Sequence, residues 1–372
     1  MARRRLHIAL VYNTYRDDEP DDPDDRGGHA DLLFMIRRIA RAIRNLGHTV
    51  TVLPLADDLF GFQRKLRRLN PDVVFNQYDD VVNGAAYEMR MAALVRMMGY
   101  PLTGSPALAL GLCRYKFTTN CLLAGAGLPI PPDTELLPTV SAVDQREWKF
   151  PLIVQASQEH AAIGTDRNSV VHNKTQMKNK VREIVRSLKQ PALAQRFLPG
   201  REFNVALLGG SRVRVLPLIE VDYSQLPKEI PPILSYAAKN LENTVDYQKT
   251  GMICPADVEP GLAKHIGDLA SRAFRAVGGW GYGRVDLRLD ERGAPYVLDV
   301  NCNPCLDDDL GLVRSAQRSG IDFPHILQLI IDAALEGMPH DIHIPMIHGL
   351  PHSGNGQTGY ASSRRPALAA QA

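Results

Sequence analysis

The stretch Gly283–Asn301, GRVDLRLDERGAPYVLDVN, restricts the fold more than any other part of the chain. Two runs of alternating apolar and polar residues flank a polar segment containing a glycine, the pattern of an antiparallel hairpin. Four turn residues, Glu291 to Ala294, set Asp290 opposite Pro295, Asp286 opposite Asp299, and Arg284 opposite Asn301. Val285, Leu287, Leu289, Tyr296, Leu298 and Val300 then line a buried face, while Arg284, Asp286, Asp299 and Asn301 share the other. Opposed aspartates repel each other across a sheet, so this face calls for a compensating positive charge. A hard divalent cation on Asp286, Asp299 and Asn301 would supply it, because Mg²⁺ takes carboxylate and amide oxygens together with nucleotide phosphates. The alternative is that one aspartate pairs with Arg284 and the other is solvated or protonated.

The first hundred residues alternate strand and helix: LHIALVY, a helix from about Ala30 to Asn45, HTVTVLPL, a helix near 57–69, DVVFNQY, and a helix from about 84 to 98. Such alternation predicts a parallel sheet covered by helices. A second region follows, with the strand FPLIVQA, the polar loop SQEHAAIGTDRN, the strand SVVHN and a helix at about 175–188. A third begins with ALAQRFL and continues into the strand pair EFNVALLGGSRVRVLPLIEV, turned at Gly-Gly-Ser. A long loop, a helix over about 258–277 and the Gly283–Asn301 hairpin complete it. At 372 residues the chain is long enough for two or three cores. The expected divisions are 1–105, 106–190, 191–340 and a disordered tail, 341–372, rich in small and polar residues.

Charge narrows the partners. Lys and Arg total 43 against 41 Asp and Glu, a net +2 that points to neither nucleic acid nor a membrane surface. No stretch approaches the roughly 18 apolar residues of a membrane span, and the apolar run after MARRRL is too short for a signal peptide and reads as a first strand. Five cysteines suit a reducing, cytoplasmic setting. Cys302 and Cys305 have the spacing of a redox pair, but their place at a hairpin end beside acids favours small loop residues over redox or zinc chemistry. Residues 17–25 hold seven acids without calcium-loop spacing, read as a solvated loop or as a lid over a cationic group. His340, His343, His348 and His352 fall in or beside the tail and are not read as a metal site.

Several of these segments resemble, in order, the D-alanine–D-alanine ligases of the ATP-grasp superfamily. GYGRVDLRLDERGAPYVLDVNCNP is similar to that family's last hairpin, and GYPLTGSPALALGLCRYKFTTNCLLAGAGLPIP to the entry into its grasp domains. FPLIVQASQEHAAIG resembles the strand and lid over the phosphates, AQRFLPGREFNVALLG the adenine hinge, and LSYAAKN a second lysine segment. The resemblance spans roughly 70–335. It implies an α/β fold: an N-terminal parallel-sheet domain followed by an ATP-grasp fold of two α+β subdomains. It implies ATP and Mg²⁺, with Mn²⁺ as an alternative, and a carboxylate–amine ligation through an acyl phosphate on small-molecule amino acid substrates. Lys116, Gln155, Gln195, Glu202 and Lys239 fall at nucleotide positions, Asp286, Asp299 and Asn301 at metal positions, and Arg284 at the catalytic arginine. A homodimer is compatible with it. The physical case runs in parallel: amide formation from a carboxylate is uphill, so the carboxylate must be activated, which needs cations around the transferring phosphate.

The departures are concentrated where substrates are read. Gln155 stands where the family has lysine, and Gln195 where an acid is usual. Ala161 and Asn240 replace a serine and a tyrosine that place the first amino acid, and Cys305 replaces a glycine in a loop that lacks the serine for the second substrate's carboxylate. The acidic run 17–25 replaces a GGxSxE motif. Other amino acids or specialised metabolites as substrates, or nucleotide binding without catalysis, are the rival expectations.

Overall fold

A computed structural model of the chain describes residues 4–14, 26–56, 58–79, 85–159, 162–307 and 311–337. The acidic run 17–25, Ala161, the four C-terminal histidines and the tail lie outside the described residues. Strands β1 (His7–Asn13), β2 (Thr49–Leu55) and β3 (Val73–Gln77) form a parallel sheet in the order β2-β1-β3. Parallel strands need crossover connections, supplied here by helices Arg26–Asn45 and Leu59–Leu69. The first helix begins four residues before the periodic pattern does. The second is capped by Asp58, whose side chain accepts from Gly61 N at 2.7 Å.

Strands β4 (Glu135–Leu137), β5 (Leu152–Ala156), β6 (Val170–Val171) and β7 (Ala192–Arg196) form an antiparallel sheet in the order β4-β7-β5-β6. The sequence grouped β7 with the strands after it, yet β7 pairs between β4 and β5. Its alternation identifies a strand but not a partner. Strands β8 (Glu202–Gly209), β9 (Arg214–Val215), β10 (Ile219–Asp222), β11 (Gly251–Ile253), β12 (Gly281–Leu289) and β13 (Pro295–Asn301) form the third sheet, ordered β11-β10-β8-β12-β13 with β9 also on β8. The return strand expected after the Gly-Gly-Ser turn is broken into β9 and β10 around Pro217, and the register shifts by one across the break. A proline has no N–H for the ladder, which favours a break there.

The hairpin β12–β13 keeps the expected pairs Arg284–Asn301 and Asp286–Asp299, but Leu287 then faces Val297 and Leu289 faces Pro295. The turn is one residue longer than expected, and a bulge at Leu298 takes up the difference. One extra residue reverses the face on which the neighbouring side chains of that strand lie. Val297, fully buried, therefore lines the core in place of Tyr296 and Leu298, both only half-buried. Val285, Leu287, Leu289 and Val300 are in the core as expected.

The cores show which layers are joined. Ile8, Leu10 and Phe75 of the parallel sheet pack with Leu208, Tyr282 and Ile330, so the first and third sheets share an interior with helix Phe323–Glu336. The four-stranded sheet has its own core around Trp148, Val154 and Ile184. Among the described residues no helix is long and apolar enough to cross a membrane.

Candidate active site

The four-stranded and six-stranded sheets face each other across a cavity of about 140 Å³. The nine residues placed at nucleotide, metal and catalytic positions all line it: Lys116, Gln155, Gln195, Glu202, Lys239, Arg284, Asp286, Asp299 and Asn301. Alternation explains much of this convergence. Arg284, Asp286 and Arg288 are every second residue of β12 and point one way, and Asp299 and Asn301 answer them from β13. Leu298 reaches the same wall because of the bulge.

Lys116 opens helix Lys116–Gly125, and its backbone N–H donates to Ser157 O at 3.0 Å, which ties the helix start to the end of β5. Lys239 lies on the short helix Tyr236–Asn240, capped by the Ser235 hydroxyl, which accepts from Ala238 N at 3.2 Å. Tyr236 N donates to Thr165 O at 2.9 Å and Arg167 pairs with Asp246, so the Lys239 segment is held against the opposite half of the cavity. Burial foremost, then the charge of Arg284, holds the Lys239 ammonium below the usual lysine range.

The opposed aspartates are not left to repel each other. Arg284 donates to Asp286 through Nε at 2.7 Å and Nη2 at 3.0 Å, and Asn204 Nδ2 donates to the same carboxylate at 2.8 Å. Lys116 Nζ stands 3.6 Å from Asp299 Oδ2. The compensating charge that the sequence assigned to a metal is thus available from protein side chains, and the pairing of Asp286 with Arg284 follows the alternative reading. Asn301 Oδ1 accepts from Asn303 N at 2.9 Å. No group of three or more His, Cys, Asp or Glu side chains among the described residues could hold a metal ion. The donor set that remains is two carboxylates and an amide oxygen on neighbouring rungs of one face. It contains only hard oxygen ligands, the kind Mg²⁺ takes when phosphates and water complete its shell.

Glu202 accepts from Tyr223 OH and from Arg288 Nη1, both at 2.8 Å and both on Oε2. Arg288 is itself buried, between the rings of Phe197 and Tyr223. It was missed in the sequence, although extending the polar face of β12 by two residues would have found it. Gln155 Nε2 donates to Gln195 Oε1 at 3.2 Å, and Gln195 Nε2 donates to Thr134 and Asn120. The two neutral amides that depart from the family pattern here are therefore bonded to each other.

A second cavity, of about 590 Å³, adjoins the first and shares Lys239, Arg284 and Asn301 with it. Its walls include Asp79, Glu88, Arg114 and Arg314, none of which the sequence singled out. Asp79 follows the carboxyl end of parallel strand β3, where ligands of such sheets gather, a signal that was available. Arg114 lies 2.6 Å from Asp79 and 3.4 Å from Glu88. Burial, reinforced by Asp79, pushes the Glu88 carboxyl up to about 8, against the opposing pull of Arg114 and Asn303. Asn240, at the position of the missing tyrosine, also lines this cavity. Cys302 is buried with its sulfur 3.3 Å from that of Cys113, while Cys305 faces Met35 at 3.2 Å. The hydrogen bond to Cys302, then burial, pushes the Cys113 thiol up, which opposes thiolate chemistry.

The family model "D-ala D-ala ligase C-terminus" matches residues 122–332. An uncharacterized protein of Sinorhizobium fredii, y4sG, is 32% identical over 324 residues, covering 85% of this chain and 90% of that protein. The D-alanine–D-alanine ligase of Desulforudis audaxviator is 31% identical over 247 residues, covering 65% of this chain and 76% of the ligase. Among solved structures, the D-alanine–D-alanine ligase of Bacillus anthracis complexed with ATP superposes with a TM-score of 0.65 at 16% identity, over 89% of this chain and 98% of that one.

Proposed function

We propose that this chain, which belongs to the D-alanine–D-alanine ligase family of the ATP-grasp superfamily, joins the carboxylate of one amino acid to the amine of another through an acyl phosphate. The enzyme is an ATP-dependent ligase that forms a peptide bond. The observation that carries the finer reading is the convergence of nine residues from five separate segments on one cavity between two sheets.

In this reading a carboxylate oxygen attacks the γ-phosphorus of ATP and the bond to ADP breaks. The amine nitrogen of the second substrate then attacks the acyl carbon, the C–O bond to phosphate breaks, and the amine gives up a proton. Lys116 and Lys239 hold the phosphates in line. Arg284 donates to the oxygen on which charge gathers at the acyl carbon. Glu202 takes the ribose with the oxygen that Tyr223 and Arg288 leave free, and the Gln155–Gln195 pair borders the base and phosphates. Asp286, Asp299 and Asn301 would hold Mg²⁺, or Mn²⁺ in its place, which when bound offsets phosphate charge. Arg284 must release Asp286, at least in part, for both roles to be met. A cytosolic enzyme acting on free amino acids is the setting this chemistry implies.

A second reading has a specific observation behind it. Exchanging a charged position for the hydrogen-bonded Gln155–Gln195 pair removes a phosphate-facing cation, as a protein that binds nucleotide without turning it over could afford. Phosphate release from ATP and Mg²⁺ with a panel of D- and L-amino acids separates the two. Release that requires an amino acid supports the ligase. Binding of a non-hydrolysable ATP analogue with no release for any pair would sink it.

A further inference from the structure

The larger cavity carries charge of both signs, and most of it is already committed. Arg114 is engaged by Asp79 and Glu88, and Arg284 by Asp286. Glu159 accepts from Gln190 Nε2 at 2.6 Å. Lys239 borders the smaller cavity as well. Arg314 lines the larger cavity alone, is half-buried, and makes no hydrogen bond or ion pair among the described residues. Holding an unpaired guanidinium partly out of water is costly, and the cost is recovered when a carboxylate meets its fork of donors.

Its position relative to the reaction centre is fixed by helix Gly311–Arg318. A Cβ built on Gly311 would stand 3.9 Å from Cδ of Arg284 and 3.5 Å from Ile219, so this end of the helix abuts Arg284. Arg314 follows one turn later, on the same side, at a rise of about 4.5 Å. The wall nearby is apolar, with Ile219, Met252 and Leu234. The volume of about 590 Å³ lies within the ~300–1,000 Å³ of pockets for drug-sized ligands, more than two alanines require.

Building on the ligase reading above, we infer that Arg314 is the carboxylate anchor for the amine-donating substrate. That substrate is an α-amino acid with a free carboxylate and a side chain larger than methyl, lying along Ile219 and Met252. Its carboxylate pairs with Arg314, and its amine lies on the Arg284 side of the same cavity. Arg314 decides which amines are accepted and does not take part in forming the acyl phosphate.

The full chain, saturated with a non-hydrolysable ATP analogue and Mg²⁺, is titrated calorimetrically with D- and L-forms of alanine, leucine and phenylalanine and with their carboxamides. The expected result is that leucine or phenylalanine binds about tenfold or more tightly than its carboxamide. Arg314→Gln should cut this preference by about tenfold while leaving carboxamide and nucleotide affinities unchanged, and Arg314→Lys should keep part of it. The inference is overturned if Arg314→Gln retains the preference, if acid and carboxamide bind the wild type alike, or if nothing in the panel binds. Parallel phosphate-release assays separate the two claims. With alanine present throughout as carboxylate donor, an Arg314-dependent preference without release keeps the anchor and removes the ligase, whereas equal added release with the carboxamides as amine donors keeps the ligase and removes the anchor.

Discussion

The two cavities share a wall and differ in construction. The smaller one is built largely from strand positions, with alternate residues of β12 and β13 facing β5 and β7, and its charges are matched locally by Arg284 and Lys116. The larger one is assembled from a strand end, helices and connecting segments, with Asp79, Glu88, Arg114 and Arg314 drawn from distant parts of the chain. Alternating strand positions hold the residues proposed to act on phosphate, whereas the wall proposed to select the amine is joined by tertiary packing and by the ion pairs of Arg114 with Asp79 and Glu88.

The sharpest way to break this contrast is to alter the smaller cavity and ask whether substrate identity matters. Asp286→Asn or Asp299→Asn should lower ATP turnover by about 10²–10³-fold with every amine tested, with melting temperature nearly unchanged for Asp299→Asn and lowered for Asp286→Asn, which takes the carboxylate from Arg284. Steady-state phosphate release and thermal melts check this. Loss confined to some amines would place these acids in substrate selection instead.

Gln155→Lys should tighten binding of a non-hydrolysable ATP analogue by roughly tenfold, since a charge-assisted contact replaces a neutral one. Calorimetry on the single variant and on Gln155→Lys with Gln195→Glu tests it, because an acid at 195 would recapture the lysine and shrink the gain. An unchanged affinity in the single variant would detach Gln155 from the phosphates.

Glu88 belongs to the larger cavity alone, and its effect should appear in stability. Its carboxyl is raised from 4.5 to about 8 in the fold, so the folded protein holds that proton more tightly, and stability falls as pH rises between those values. Wild type should lose more melting temperature between pH 5 and pH 8 than Glu88→Gln does. Equal losses would mean that Glu88 is not the group responsible.

The smallest effect is expected from the cysteines. Cys302→Ser with Cys305→Ser should leave nucleotide affinity within about twofold. A loss of activity that reductant reproduces in wild type would restore a redox role.

How much was legible in the sequence divides along the same line. Lys116, Gln155, Gln195, Glu202 and Lys239 were found through the family resemblance, whereas the parallel N-terminal sheet and the Asp286–Asp299 pairing could be read because alternation carries them. Arg314 could not, because nothing in a helix marked by Leu312, Val313 and Ala316 as core-facing says what its other side meets. The partner of Cys302 was hidden for a similar reason: Cys113 is 189 residues away and meets it only through packing. The Leu298 bulge escaped because the turn length was taken from sequence, and two errors of one residue cancelled at the acids.

That cancellation has a practical side. The root of the hairpin is anchored independently of its tip, since Arg284 and Asp286 pair with Ala206 and Asn204 of β8 as well as with β13. Between the root and the exposed tip Glu291–Ala294 sits a residue that already absorbs a frame difference. A reporter peptide or dye-labelling sequence inserted between Arg292 and Gly293 would therefore have its length taken up before it reached the Arg284 and Asp286 rungs. The tip is the point at which this protein can be lengthened while its chemistry stays in register.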